Sequence, residues 1–293
     1  MAKVLLVTKT SAWDWHGSWY QTQFQKGALP EWDYKRIKQA HEEHQDTLMR
    51  AREHLTKAQI SFREVNVDKK DWSPDEDTTY VLTVGGDGTL LSASHRVQTD
   101  NMTLIGVRSS GTSVGYLCAG GADRLSELVS KISSDSVPVK EASRLRAEIT
   151  PNDGSSSRLS DPALNDFLYS NANPAATTRY CISLGDRVEE HKSSGLWVST
   201  ALGSTAGIYA AGGVIMPRTD TNFQYVVREL YRAPGRNFYL VNGFFNPDQK
   251  PLTIENRCEE AIIAADGNHG VMKLGWGDRI SFHRAPSIKI AQG

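Results

Sequence analysis

The sequence predicts an α/β N-terminal domain with a parallel sheet, followed by a β-rich C-terminal domain. Three observations carry that prediction. Apolar, strand-like runs alternate with helical segments through the first half, the pattern of a parallel sheet with helical crossovers. The run Val81-Leu82-Thr83-Val84 passes directly into Gly85-Gly86-Asp87-Gly88-Thr89 and then into helical texture. From about residue 137 the texture changes to short apolar stretches separated by Gly, Asn, Asp and Pro turns. With 293 residues the chain fits two domains, since single cores seldom grow beyond ~250–300 residues. The expected division is residues 1–145 and 146–293.

Taken in order, residues 3–8 form a continuous apolar run, typical of a parallel strand covered on both faces. Residues 10–33 are rich in aromatics (Trp13, Trp15, Trp19, Tyr20, Phe24, Trp32). They read as a long loop or short helices packed on the domain or a sister subunit, or as a lid over a nucleotide. Residues 34–57 lack Pro and Gly, and Ile37, His44, Leu48, Ala51 and Leu55 recur on one helical face. Strands are expected at 61–67, 79–84 and 103–107, and helices at 89–97 and 123–133. In the second half the expected strands are 137–150, 179–184, 196–200, 223–228, 237–245, 259–264 and 280–283. Turns are expected at Asn152-Asp153-Gly154, Asp186-Arg187 and Asp266-Gly267, and a small-residue helix near 204–213.

Charge and cysteine usage narrow the function. Lys plus Arg number 33 and Asp plus Glu 34; a nucleic-acid partner calls for a basic excess, so none is expected. The three cysteines are scattered with no C-x-x-C pair, which argues against a disulfide framework or a structural zinc site. No apolar run approaches the ~18 residues that would span a bilayer, so no membrane partner is expected. The N-terminal apolar run is too brief for a signal peptide. The expected compartment is the cytoplasm.

The strongest chemical signal is the loop Gly85–Thr89. Glycines allow tight turning and close ligand approach, and amides exposed at a turn and helix N-terminus suit phosphate oxygens. Thr89 reads as an N-cap or a phosphate donor. A carboxylate among phosphate-binding glycines weakens anion affinity, so Asp87 reads as serving chemistry, as base or orienting group for an attacking hydroxyl. A plain Gly-Asp-Gly turn without a ligand is the bland alternative. Further along, Asn165 offers amide donor and acceptor, and Asp166 can accept from a ribose diol. Ser204 and Thr205 stand beside Gly203, which permits close backbone approach. An Asx turn and a helix-packing seam are the structural alternatives for those two stretches. His95, Arg96 and Arg108 are weaker candidates for phosphate or ligand contact, and Arg228, Arg232 and Arg236 read as a solvated strand edge or subunit interface.

The Gly-Gly-Asp-Gly-Thr loop resembles the superfamily of NAD kinases, diacylglycerol and sphingosine kinases, and more distantly phosphofructokinases. Ala163-Leu164-Asn165-Asp166 resembles the Asn-Glu/Asp motif of NAD kinases. Lys192-Ser193-Ser194-Gly195-Leu196 through Thr200, Ala201, Leu202, Gly203, Ser204, Thr205 and Ala206, with the trailing Ala210, is similar to that family's adenosine-wrapping segment. Ser194 stands where most members carry Asp, and Gly207 where they carry an aromatic. The Lys-Ser-Ser-Gly-Leu form, with Val7-Thr8-Lys9-Thr10 and Gly115-Tyr116-Leu117-Cys118, resembles the mitochondrial-type branch. The resemblance implies phosphorylation of NAD at the adenosine 2′-hydroxyl by ATP, with Asp87 as base. Gly85, Gly86, Gly88, Thr89, Asn165, Asp166, Lys192, Ser194, Thr200, Gly203, Ser204, Thr205, Ala206 and Ala210 are the implied binding residues. It also implies Mg2+ arriving with ATP, no protein-bound metal, and a homodimer or larger homo-oligomer. A lipid kinase sharing the loop and a non-catalytic NAD-binding regulator are the rival readings.

Overall fold

A computed structural model of the chain describes residues 2–69, 71–97 and 101–292. The chain separates into two units, Met1–Glu141 with the chain end from Ile288, and Ala142–Ser287. The expected division left the chain end in the second domain. It joins the first unit because Lys289 and Ile290 pair in parallel with Thr103 and Leu104.

In the first unit, Lys3–Thr8, Ser61–Asn66, Tyr80–Gly85 and Thr103–Arg108 form a parallel sheet. Lys3–Thr8 lies between Ser61–Asn66 and Tyr80–Gly85. The chain therefore leaves the first strand to one side and later returns to the other. Loops that follow Thr8 and Gly85 diverge at such a switch point, where parallel sheets place their ligands.

Helices cover both faces of this sheet. Glu31–Lys57 carries acids in its first turn and bases in its last, complementing its dipole. It buries His44, Thr47, Leu48, Ala51 and Leu55, while Ile37, in its outer half, is only half-buried. With Leu125–Ser133 it closes a core containing Val4, Leu6, Leu82, Val84, Ile105 and Val107. Gly106 alternates to the opposite face. A Cβ there would lie 2.8 Å from Leu90 Cδ1, so Asp87–Ser94 packs on that side.

The aromatic stretch is a helix, Ala12–Gln25, with a capping box between Ser11 and Asp14 and a kink at His16. None of its residues is buried. Trp13 stacks on Tyr20 and Phe24 on Tyr34, while Trp15, Trp19 and Trp32 face outward. Part of the expected packing onto the domain is present, since Trp13 and Phe24 both meet Tyr34 of the helix Glu31–Lys57.

The second unit holds two antiparallel sheets. One orders Arg187–Ser193, Thr178–Leu184, Leu252–Asn256 and the beginning of Arg279–Ala291. The other orders Asn242–Phe245, Phe223–Val227, Leu196–Ser199, Asp166–Asn171, Ala261–Ala265 and Gly270–Leu274. Tyr180, Ile182, Ile254 and Phe282 from the first and Phe167, Tyr169, Val198 and Ile263 from the second share one core, as inner faces of stacked sheets do. The helical segment near 204–213 is a 3-10 turn, Leu202–Thr205, then the short helix Gly207–Ala210.

Candidate active site

In the first unit a cleft of about 470 Å³ opens at the switch point, lined among others by Lys9, Asp68, Asp87, Gly88, Thr89 and Ser113. The helix begins at Asp87, with Gly86 as its N-cap. The expectation that Thr89 caps it is therefore corrected: Thr89 sits inside the first turn, buried. None of the three loop glycines has positive φ, so turn strain does not explain them. Packing explains two. A Cβ on Gly85 would lie 2.1 Å from Thr89 Oγ1, and one on Gly86 2.3 Å from Ser113 Oγ. At Gly88, exposed and helical, an added Cβ meets nothing within 4 Å. The protein itself gives no reason for glycine there.

Asp87 is held on both oxygens. Leu117 N donates to Oδ1 at 2.7 Å and Tyr116 N to Oδ2 at 3.0 Å. Each oxygen keeps a further lone pair for a ligand hydroxyl. Next to it, the Cys118 thiol is pushed up to about 12, by burial first and by the Asp87 charge second. It is a neutral neighbour and not a nucleophile. Asp68 Oδ2 accepts from Thr10 N at 2.7 Å, which fixes the chain beside Lys9. Arg108, by contrast, lines a different cavity with Glu43 and Arg50.

In the second unit Asn165 and Asp166 stand where Asp166–Asn171 begins. Asp266, in a left-handed turn with φ of 45°, places its carboxylate against their backbone. Its oxygens accept from Leu164 N at 2.8 Å, Asn165 N at 2.8 Å and Asp166 N at 3.0 Å. Thr200 N donates to Asn165 O at 2.8 Å, and Thr200 Oγ1 to Leu164 O at 2.6 Å. Gly203 lies so close that a Cβ would come 2.1 Å from Asn165 O. One side chain is left with an unmet demand, and its neighbour is electrostatically perturbed. Asn165 Oδ1 is buried without a hydrogen-bond partner. The Asp166 carboxyl is pushed up to about 7, by burial first and by the Asp266 charge second.

These bonds bring Asn165, Asp166, Thr200 and Gly203 together. Ser204 is buried and internally committed, donating to Ala201 O and accepting from Met216 N. Thr205 and Ala206 follow it, half-buried, and Ala210 is exposed at the end of the short helix. Lys192 and Ser194 join a different segment: Tyr231 N donates to Lys192 O and Ser194 N to Arg228 O. Gly207 packs against the Trp197 indole, to which a Cβ would approach within 2.9 Å. Sequence reasoning missed Asp266, read as a plain turn, and Lys9, whose place directly after the first strand was the available signal.

The two units thus comprise a parallel sheet with a carboxylate-bearing glycine loop at its switch point and a β-rich unit with a polar cluster around the unpartnered Asn165 Oδ1. No family model matches the chain. An NADH kinase of Arabidopsis thaliana is 31% identical over 271 residues, covering 84% of this chain and 83% of that protein. The crystal structure of yeast NADH kinase complexed with NADH matches with a TM-score of 0.71 at 17% identity, over 100% of this chain and 84% of that one. An NAD kinase from Archaeoglobus fulgidus in complex with ATP matches with a TM-score of 0.66 at 16% identity, over 99% and 93%. The structural likenesses show the shared fold. The chain belongs to the NAD kinase family.

Proposed function

We propose that this chain transfers the γ-phosphoryl group of ATP to the adenosine 2′-hydroxyl of NAD or NADH, with Asp87 as general base. The observation that carries the reading is the Asp87 carboxylate, fixed by the Tyr116 and Leu117 amides in a cleft it shares with Gly86, Gly88 and Lys9. The hydroxyl proton passes to Asp87 as the ribose oxygen bonds to the γ-phosphorus. The bond from that phosphorus to the β–γ bridging oxygen breaks, and ADP leaves. Positioning and charge stabilisation account for most of such a transfer. Lys9, in the same cleft, supplies positive charge toward the phosphates.

Dinucleotide recognition is assigned to Asn165, Asp166, Lys192, Ser194, Thr200, Gly203, Ser204, Thr205, Ala206 and Ala210. What supports this is the orphaned Asn165 Oδ1, since leaving a buried acceptor unmade costs ~1–3 kcal/mol that a ligand donor recovers. With its pKa near 7, Asp166 can accept a ribose hydroxyl proton as carboxylate or donate one as acid. Thr200 and Ser204 act through the backbone they hold.

Among the described residues no group of three or more His, Cys, Asp or Glu could hold a metal. The cleft's Asp68 and Asp87 are oxygen donors suited to a hard cation, and both already accept amides. Magnesium would ride on ATP, held chiefly by phosphate oxygens and water, and would neutralise charge developing on the γ-phosphate. The outward-facing aromatics of Ala12–Gln25 support a homo-oligomer, which sedimentation of wild type against Trp19→Ala tests. The function is tested by incubating the chain with ATP-Mg and NAD or NADH and measuring NADP or NADPH. Absence of both products from folded protein overturns the reading.

A further inference from the structure

The helix Glu31–Lys57 carries a polar clamp under the Asp87 cleft. His44 Nδ1 lies 3.0 Å from Ser109 Oγ, and Thr47 Oγ1 donates to Ser109 O at 3.2 Å. Glu43 Oε2 accepts from Ser110 Oγ at 2.7 Å and from Gly111 N at 2.9 Å. The gripped segment is bonded to the loop that bears the base, because Ser109 N donates to Gly85 O at 2.9 Å. It then runs on to the Tyr116 and Leu117 amides that hold Asp87. On its other side His44 Nε2 lies 3.2 Å from Lys9 O and 3.3 Å from Thr8 Oγ1. Lys9 O can only accept, so its bond requires the proton on Nε2. Nδ1 is then left to accept from the Ser109 hydroxyl. A neutral imidazole spends both nitrogens in this way, and burial, then the Lys9 charge, holds the ring below the usual histidine range.

We infer that His44 is a positioning residue for the proposed phosphotransfer. One ring ties the strand end that carries Lys9 to the segment that fixes Asp87. The two groups that must meet the γ-phosphate and the attacking hydroxyl are thereby held in register. A carboxamide can replace one arm at a time, because an Asn oxygen matches Nδ1 and a Gln amide nitrogen matches Nε2. The inference rests on the function proposed above.

The test compares His44→Leu, His44→Asn and His44→Gln by steady-state kinetics with ATP-Mg and whichever of NAD and NADH wild type phosphorylates, and by amide hydrogen exchange. For His44→Leu we expect kcat to fall on the order of 10- to 10²-fold and the KM for ATP to rise, with faster exchange at the Tyr116 and Leu117 amides. His44→Asn, which keeps the Ser109 arm, should restore kcat but leave the KM for ATP raised. His44→Gln, which keeps the Lys9 arm, should restore the KM but leave kcat low. A folded His44→Leu protein with wild-type kcat and KM overturns the inference, as does unchanged exchange at both amides. If wild type makes neither NADP from NAD nor NADPH from NADH, the function proposed above fails, and with it the role of His44 in phosphotransfer. Exchange at 116 and 117 then still reports whether the ring holds the Asp87 loop.

Discussion

Replacing Asp266 by Ala removes one carboxylate from three consecutive backbone donors, the amides of Leu164, Asn165 and Asp166. Leu164 and Asp166 are buried and Asn165 half-buried, so water does not readily replace the lost acceptor at the two buried residues. Each stranded amide costs ~1–3 kcal/mol, and bonds to a charged acceptor lie toward the upper end of that range. Three stranded amides relax together, so roughly 3–6 kcal/mol is expected, a large part of the ~5–15 kcal/mol that holds a typical domain folded. Asp266→Asn isolates the charge. It keeps one oxygen acceptor, tolerates the left-handed backbone, and turns an amide donor toward the remaining N–H groups. Urea unfolding of wild type and both variants gives the stability order wild type, Asn, Ala. NAD binding by calorimetry should weaken in the same order, because the segment that presents Asn165 and Asp166 loosens. If Asp266→Ala loses less than about 1 kcal/mol and binds NAD as wild type does, the carboxylate is not what holds the segment.

Further outcomes follow from the same geometry. Asp166 titrates near 7 in the folded chain and near the ordinary carboxylate value of 3.8 when unfolded. Its contribution is therefore complete below the unfolded value and is lost as pH rises through the folded one, by up to ~4 kcal/mol. Asp166→Asn should remove that loss, so its Tm should fall less than wild type's between pH 4 and pH 8; parallel pH profiles contradict the burial argument. Gly203→Ala should unfold at markedly lower urea, since its Cβ would sit 2.1 Å from Asn165 O; a Tm within experimental error of wild type contradicts that contact. Gly88→Ala should leave stability unchanged or raise it by up to ~1 kcal/mol, because its Cβ meets nothing. In the same variant kcat/KM for ATP should fall, and a kinetically silent Gly88→Ala means no ligand approaches the loop at that point.

How far this was readable in sequence depends on whether the cause is local. The parallel-sheet unit was legible because a buried strand and a periodic helix announce themselves within a few residues, as Val81–Val84 and the Leu48, Ala51, Leu55 stripe do. The Gly85–Thr89 loop was legible for the same reason, although packing against Thr89 and Ser113 accounts for two of its glycines, where turn geometry had been expected. Arg187–Ser193 escaped because an edge strand reads as polar, with Glu189, Glu190 and Lys192 along it. The return of Ile288 onward to the first unit escaped because no local signal records a pairing with Thr103. Asp266 is about a hundred residues from the amides it holds, and its Asp-Gly dipeptide reports only the turn. His44 was legible as one member of a buried helical face. That both its nitrogens are spent on Lys9 and Ser109 is a fact of the fold.

Asp87 is proposed to accept the ribose proton. The most direct test of that role is Asp87→Asn, assayed for NADP formation from ATP-Mg and NAD alongside NAD binding by calorimetry. Asn keeps the shape and one acceptor for the Leu117 and Tyr116 amides but is not a base. Turnover should fall on the order of 10²-fold or more with NAD affinity retained. An Asp87→Asn enzyme that turns over at close to the wild-type rate would contradict the role of Asp87 as base.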